Sequence, residues 1–101
     1  MFAVVYRWKL KTGMEEQFED AWAHVTRTIQ QHCGSYGSRL HVAEDGTRVA
    51  YARWPDESTR KRCDHGDADG LRMMQESILE SMDEIRMTIE VDLLSEPGPA
   101  G

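Results

Sequence analysis

The sequence predicts an α+β fold of the ferredoxin-like kind, with the order β-α-β-β-α-β and an antiparallel four-stranded sheet. Three observations support this prediction. A β-rich first segment gives way to a helical period, two β-rich runs flank an Asp-Gly step, and the last apolar residues alternate strictly with polar ones. Both main helices then cover one face of the sheet, and a second copy of the chain is the natural cover for the other face.

The first strand and the first helix follow from a change of period. Residues 2–10 are rich in β-branched and aromatic types and end at a Lys-Thr-Gly turn, which predicts a strand. Over residues 14–32 the apolar side chains recur on one helical face. Thr12 is the expected N-cap of this helix, with Glu15 completing a capping box, and Gly34 is its expected C-terminal cap.

The middle of the chain predicts a hairpin. Residues 36–43 and 47–54 are two β-rich runs, and the Asp45-Gly46 step between them readily adopts the positive φ angles of a tight turn. We therefore expect these two strands to be adjacent and antiparallel.

Three more elements are predicted in the C-terminal part. Asp56 is placed to cap a short helix over about residues 57–63, and Asp69 to cap a further helix over about residues 71–82. Alternation of apolar and polar residues predicts the last strand over residues 85–93.

Length and composition bound the class of protein. At 101 residues the chain fits one domain, assigned to residues 1–95, with a disordered tail over 96–101. Its net charge of −6 argues against nucleic acid, and its longest apolar run, residues 2–5, is far too short to cross a membrane. We therefore expect a cytoplasmic location, with Cys33 and Cys63 as reduced thiols; a contact between the two cysteines is the alternative.

The most specific patterns lie in two segments, YRWKLKTGMEEQFEDAW at 6–22 and GSYGSRLHVAEDGTRVAYARWP at 34–55. The first runs from a strand through a Lys-x-Gly turn into an acidic helix with an aromatic face. The second combines a glycine-rich strand start with an Asp-Gly hairpin. Together they resemble the antibiotic biosynthesis monooxygenase family of dimeric α+β barrel proteins, and the resemblance covers about residues 2–94.

This resemblance implies a homodimer whose strands form a shared barrel, and a pocket in each subunit between the helices and the sheet. It also implies a cofactor-independent monooxygenase that oxidises a small phenolic, quinol or polyketide-type aromatic compound. The alternative is a non-catalytic protein of the same fold that binds a small ligand or serves as a dimeric partner. Haem-degrading relatives rely on an asparagine, and because this sequence contains none, haem degradation is not expected.

Six residues are candidates for substrate binding, and none is singled out as catalytic. Tyr6 and Trp8 share one face of strand one, while Trp22 lies on the inner face of helix one, so the three rings can wall a single cavity. Their alternative role is core packing. The full set is Tyr6, Trp8, Trp22, Arg39, His41 and Trp54.

The polar candidates lie on strand two. Arg39 and His41 share one strand face, where an Arg beside a His can polarise a carbonyl and accept a proton. Alternation places both opposite Leu40, so they can instead face the dimer interface or solvent. Trp54, which precedes Pro55, is interpreted as a packing residue that closes the sheet edge.

No metal site and no cofactor are expected. The spacing from His65 through Asp67, Asp69 and Gly70 to Glu76 matches a calcium-binding loop. Histidine is a poor first ligand for a hard cation, however, and Asp69 is already assigned as a helix cap. The cysteines and histidines also lack the spacing of a structural zinc site.

Overall fold

A computed structural model describes residues 1–64 and 66–95 of the chain. His65 and residues 96–101, predicted as part of a loop and as a disordered tail, lie outside the described residues. The elements in the described part are β1 Phe2–Leu10, α1 Glu15–Cys33, β2 Ser38–Val42, β3 Arg48–Trp54, α2 Glu57–Lys61, α3 Ala68–Ser77, β4 Ile78–Ser81 and β5 Ile85–Thr88.

The strands form one antiparallel sheet in the order β2-β3-β1-β4, and β5 also pairs with β1. This arrangement is the ferredoxin-like α+β fold that the sequence predicts. The central strand is β1, which pairs with β3 on one edge and with β4 and β5 on the other.

The sheet has five strands rather than the predicted four, because the second edge of β1 is shared by two short strands. β4 pairs with the end of β1 at Trp8 to Leu10, whereas β5 pairs with its start at Phe2 to Val5. The last strand therefore ends at Thr88 and not near residue 93, since β1 begins at Phe2 and the pairing continues only through the Ile89 N–H, which donates to the Met1 carbonyl at 2.9 Å.

The last long helix also differs from its prediction. It spans Ala68–Ser77 instead of about 71–82, and Ile78 already has extended backbone angles of −91° and 126°. Apolar residues at 78 and 82 fit the helical period, but the free edge of β1 offers Ile78 a strand partner in Leu10. Tertiary pairing thus overrides the local pattern.

Two of the predicted N-caps are wrong. Met14 rather than Thr12 precedes α1, and it makes no side-chain capping hydrogen bond. The cap of α3 is Asp67 and not Asp69, since the Asp67 carboxylate accepts the backbone N–H of Gly70 at 3.0 Å. Asx residues two positions apart are equivalent by composition, so the sequence does not distinguish them.

Other local predictions are confirmed. The Asp56 carboxylate caps α2 by accepting the backbone N–H of Thr59 at 2.7 Å. Gly34 ends α1 with a φ of 74°, and Gly46 has a φ of 87° in the hairpin turn. Such left-handed angles favour glycine, which lacks the Cβ that disfavours them.

Strand alternation divides the sheet into two faces. Phe2, Val4, Tyr6 and Trp8 of β1 point to the inner face, where α1 and α3 pack and where Phe18 of α1 is fully buried. The opposite, outer face carries other side chains of the same strands and has no helix packed on it in the described part of the chain. Its apolar members include Val5, Val49, Ile85 and Met87.

The expectation of two free thiols is wrong in this structure, where Cys33 and Cys63 form a disulfide. The bond joins the last residue of α1 to the segment after α2, and both residues pack against the inner-face cluster of Phe2, Val4 and Trp54. No sequence spacing indicates this pairing, because it depends on the return of the chain after β3.

In the described residues no helix is both long and apolar enough to span a membrane.

Breaking the disulfide is expected to lower the free energy of unfolding by about 3 kcal/mol, because it cross-links residues separated by 30 positions and so restricts the unfolded chain. The measurement is guanidinium unfolding with and without dithiothreitol. The double variant Cys33→Ser with Cys63→Ser should match the reduced protein and ignore the reductant. An unfolding midpoint of the unmodified protein that does not respond to reductant would contradict the bond.

Candidate functional site

A cavity of about 230 Å³ lies between the inner face of the sheet and the helices. β1 contributes Tyr6 and Trp8 to its wall, α1 contributes Trp22, and β3 contributes Trp54. Leu71 and other apolar side chains of α1 and α3 complete the lining. The cavity is therefore a largely apolar chamber with four aromatic residues and a few polar atoms in its wall, the composition usual for small-molecule sites.

The aromatic wall is fixed by ring contacts. The rings of Tyr6 and Trp8 stack with centroids 5.8 Å apart and planes within 3° of parallel. Trp8 in turn meets the buried ring of Phe18 edge to face at 5.1 Å. Two ring contacts at these distances restrict the rotation of Trp8, so a ligand would meet a wall that is already in place.

Trp54 supplies an unpaired polar atom in this wall. The residue is only 5% exposed, and its indole Nε1–H finds no hydrogen-bond acceptor among residues 1–64 and 66–95. An unsatisfied buried donor costs about 1–3 kcal/mol. The nitrogen itself has almost no accessible surface, so an acceptor oxygen on a ligand would reach it only after a turn of the indole ring toward the cavity. The interpretation of Trp54 as a packing residue is thus incomplete, because it also lines the cavity.

Tyr6 is held by a charged pair. The Arg60 guanidinium donates to the Tyr6 hydroxyl oxygen at 3.0 Å and to the Glu84 carboxylate at 2.9 Å. Partial burial would lower the pKa of Arg60, but the hydrogen bond to Tyr6 and the nearby Glu84 carboxylate raise it overall, so the group stays cationic. Since Tyr6 accepts from Arg60, and no described residue accepts the Tyr6 O–H, that proton is available to a ligand.

Sequence reasoning missed both Arg60 and Glu84. Arg60 lies on the five-residue helix α2 and Glu84 in the bend between β4 and β5, so neither belongs to a recognisable motif. Arg60 and Glu84 come close to Tyr6 only because the folded chain places α2 and the β4–β5 connection beside β1. No pattern in the sequence signals that contact.

The α3 side of the cavity is anchored by Asp67. Its carboxylate caps the helix that carries Leu71 and contacts the imidazole of His24 on α1. The Gly70 backbone N–H, followed by His24, lowers the pKa of Asp67 below its usual value. The stabilisation by this carboxylate is therefore present at neutral pH and is lost as the pH falls through its lowered pKa.

The remaining two candidates lie elsewhere. Arg39 and His41 point to the outer face, where they line a second cavity of about 480 Å³ together with Tyr51 and Arg53. The structure thus brings four of the six candidates around one cavity and places the other two on the opposite side of the sheet. An Arg–His pair cannot act on a ligand in the inner cavity from that position.

A ferredoxin-like sheet with a ligand-sized chamber beneath its helices defines the class of this protein. No family model and no curated protein matches its sequence. Solved structures do match its fold. SnoaB, a cofactor-independent oxygenase from Streptomyces nogalater, has a TM-score of 0.77 at 17% identity, over 93% of this chain and 97% of that chain.

Two further solved structures also match the fold of this chain at low sequence identity. A provisionally assigned antibiotic biosynthesis monooxygenase from Bordetella bronchiseptica has a TM-score of 0.73 at 15% identity, over 89% of this chain and 97% of that chain. One from Deinococcus radiodurans has a TM-score of 0.73 at 7% identity, over 96% of this chain and all of that chain (100%). The protein therefore has the fold of the antibiotic biosynthesis monooxygenase structures, and the resemblance seen in the sequence is confirmed at the level of fold.

Proposed function

We propose that this protein is a cofactor-independent monooxygenase that oxidises a small phenolic, quinol or polyketide-type aromatic compound in the inner cavity. The observation that carries the proposal is the ligand-sized cavity of about 230 Å³, whose wall contains the rings of Tyr6, Trp8, Trp22 and Trp54. The fold shared with SnoaB, an enzyme described as a cofactor-independent oxygenase, supports the same reaction class.

The cavity suits a substrate that combines a flat ring with an oxygen atom. Its volume of about 230 Å³ accommodates a small aromatic molecule, and the rings of Trp8 and Trp22 offer apolar faces for stacking. The Trp54 indole N–H donates to a phenolic or carbonyl oxygen of the substrate. Apolar walls exclude water from the reacting carbon and so protect a reactive intermediate.

The substrate supplies all the electrons that dioxygen takes up, so the reaction needs no redox cofactor. Loss of a phenolic or ring proton to solvent gives an electron-rich anion whose carbon adds dioxygen, and the peroxide anion then takes up one proton to become a hydroperoxide. When the reacting carbon is a ring methylene, one oxygen atom becomes the new carbonyl and the other leaves as water. The methylene thus loses the four electrons that dioxygen gains.

Tyr6 and Arg60 have defined roles in this scheme. The Tyr6 hydroxyl, fixed by the Arg60 guanidinium at 3.0 Å, donates its proton to the developing oxyanion or peroxide. The fixed cation beside it stabilises the negative charge that remains on the phenolic oxygen. Glu84 holds Arg60 in place from its other side.

Measurement of oxygen uptake tests the proposed monooxygenase activity. The purified protein, with no added cofactor, is expected to consume oxygen faster than a protein-free control with at least one member of a panel of hydroquinones and anthrones. Under ¹⁸O₂ the product should gain a single labelled atom. If no compound exceeds the control, the alternative of a non-catalytic ligand-binding protein is favoured.

The variant Trp54→Phe keeps the ring and removes the N–H donor. It is expected to lower kcat/KM about tenfold, because one hydrogen bond to the substrate is lost. Tyr51→Phe is the matched control, since it removes a polar atom from the outer face of the same strand and should leave the rate unchanged. Equal effects of the two variants would exclude the inner cavity as the site.

We also propose that the protein is a homodimer joined through the outer face of the sheet. Val5 pairs directly with Ile85 on that face, and Ile85 is 43% exposed although it is a large apolar residue. Val91, Leu93 and Leu94 beyond β5 are exposed as well. A two-fold contact would bury these groups, which a monomer leaves in water.

Analytical ultracentrifugation tests the dimer. Ile85→Asp is expected to convert a dimer to a monomer, because it would bury an unpaired carboxylate at the contact. Met73→Asp, which changes an exposed apolar residue on α3, is the control and should remain dimeric. A protein that sediments as a monomer before any substitution would overturn the proposal.

The cytoplasmic location stays a prediction. A stable disulfide between Cys33 and Cys63 is uncommon in a reducing compartment, where such bonds are mostly transient. The redox state of these two cysteines in cells therefore bears directly on where the protein works.

A further inference from the structure

The second cavity is the larger of the two described, at about 480 Å³, and lies on the outer face of the sheet. β2 contributes Arg39 and His41 to it, and β3 contributes Tyr51 and Arg53. Its volume is within the range of small-molecule sites. Because the sheet itself separates it from the inner cavity, a ligand bound here would not contact Trp22 or Trp54.

The cationic side chains in this cavity form no ion pair within the part of the chain that the structure describes. Arg39 is the direct partner of Tyr51 in the β2–β3 ladder, so Arg39 and Arg53 are diagonal neighbours. The Cα atoms of such neighbours are typically about 7–8 Å apart. Neither arginine, nor His41, makes a side-chain hydrogen bond or an ion pair with a residue in 1–64 or 66–95. Two like charges this close on a chain of net charge −6 favour the binding of an anion.

The charge count in the cavity favours a monoanion. Asp92 is the single carboxylate among the described lining residues, and it offsets one of the two arginines, Arg39 and Arg53, so that these three groups leave one net positive charge. A phosphate ester carries up to two negative charges and would also meet repulsion from Asp92. A carboxylate carries one charge, and its planar geometry matches the fork of a guanidinium.

The other lining residues favour a ligand whose carboxylate is attached to an aromatic ring. The side chains of Tyr36 and Tyr51 offer two rings, and Leu94 offers an apolar surface. A ring between such groups gains stacking and burial while its carboxylate faces the arginines.

We propose that the outer cavity is a binding site for a small aromatic carboxylate, with Arg39 and Arg53 as its anion-binding groups. This site is separate from the inner cavity and does not depend on the proposed oxygenase activity. It lies on the face assigned to the dimer, so a second copy would roof the cavity. Carboxylates of that second copy are the competing occupant.

Titration of the full-length protein with benzoate, followed by amide NMR, tests the site. Saturable shifts are expected at Arg39, Tyr51 and Arg53, while the indole N–H signals of Trp8, Trp22 and Trp54 stay in place. Benzyl alcohol, which has the ring without the charge, should give no saturable shift. Shifts centred on the tryptophans, or equal shifts with benzyl alcohol, would overturn the proposal.

Matched variants test the role of charge. Arg39→Gln and Arg53→Gln are each expected to weaken benzoate binding about tenfold, since each removes one charge-assisted contact. Arg27→Gln is the control, because Arg27 is an exposed arginine on α1 that makes no ion pair with a described residue. Circular dichroism confirms that each variant is folded.

Sedimentation of the same variants separates the two occupants. Folded Arg39→Gln and Arg53→Gln variants that keep the dimer and lose benzoate support the proposal. Variants that dissociate the dimer while benzoate affinity is unchanged assign the arginines to the second copy instead. An equal loss of benzoate binding in Arg27→Gln would show that only general charge matters, and the proposal would fail.

Discussion

The alternation of side chains along β1 is the constraint on which the rest of the structure depends. This strand lies in the centre of the sheet and is paired along both edges, so a shift by one residue would exchange its two faces. In the observed register Phe2, Val4, Tyr6 and Trp8 meet the helices. Burial of Phe2 and Val4 and partial burial of Tyr6 and Trp8 fix that register, because the alternate residues include the charged Arg7 and Lys9.

This division gives the two cavities different chemistry. The inner cavity has aromatic walls with a tyrosine hydroxyl and an indole N–H, whereas the outer cavity is lined by arginine, histidine and tyrosine. Strand β3 serves both, since Trp54 faces one side and Arg53 the other. A ring-shaped, weakly polar ligand is favoured inside, and a charged ligand outside. The sheet keeps the two apart.

Much of the fold could be predicted from the sequence because its signals are local. β1, the Asp45-Gly46 hairpin and the Asp56 cap each depend on residues close together in the chain. The boundary between α3 and β4 is different, since Ile78 fits a helical period and a strand equally well. Only the free edge of β1 decides between them.

The candidate site was predictable to a smaller extent. The period of two placed Tyr6 and Trp8 together, and the period of the helix brought Trp22 to the same side. The contact of Arg60 with Tyr6, the unpaired N–H of Trp54 and the pairing of Cys33 with Cys63 join segments far apart in the chain. Such contacts depend on tertiary packing, which no local pattern encodes.

In the proposed complex the Trp54 ring turns toward the inner cavity, and its indole N–H donates to an acceptor oxygen of the ligand. The most direct measurement is the ¹H chemical shift of that indole proton during titration with a hydroquinone, with the three tryptophan signals assigned by single substitutions to phenylalanine. A saturable downfield shift of the Trp54 signal is expected as the hydrogen bond forms. Saturable binding that leaves the Trp54 signal unmoved would contradict it.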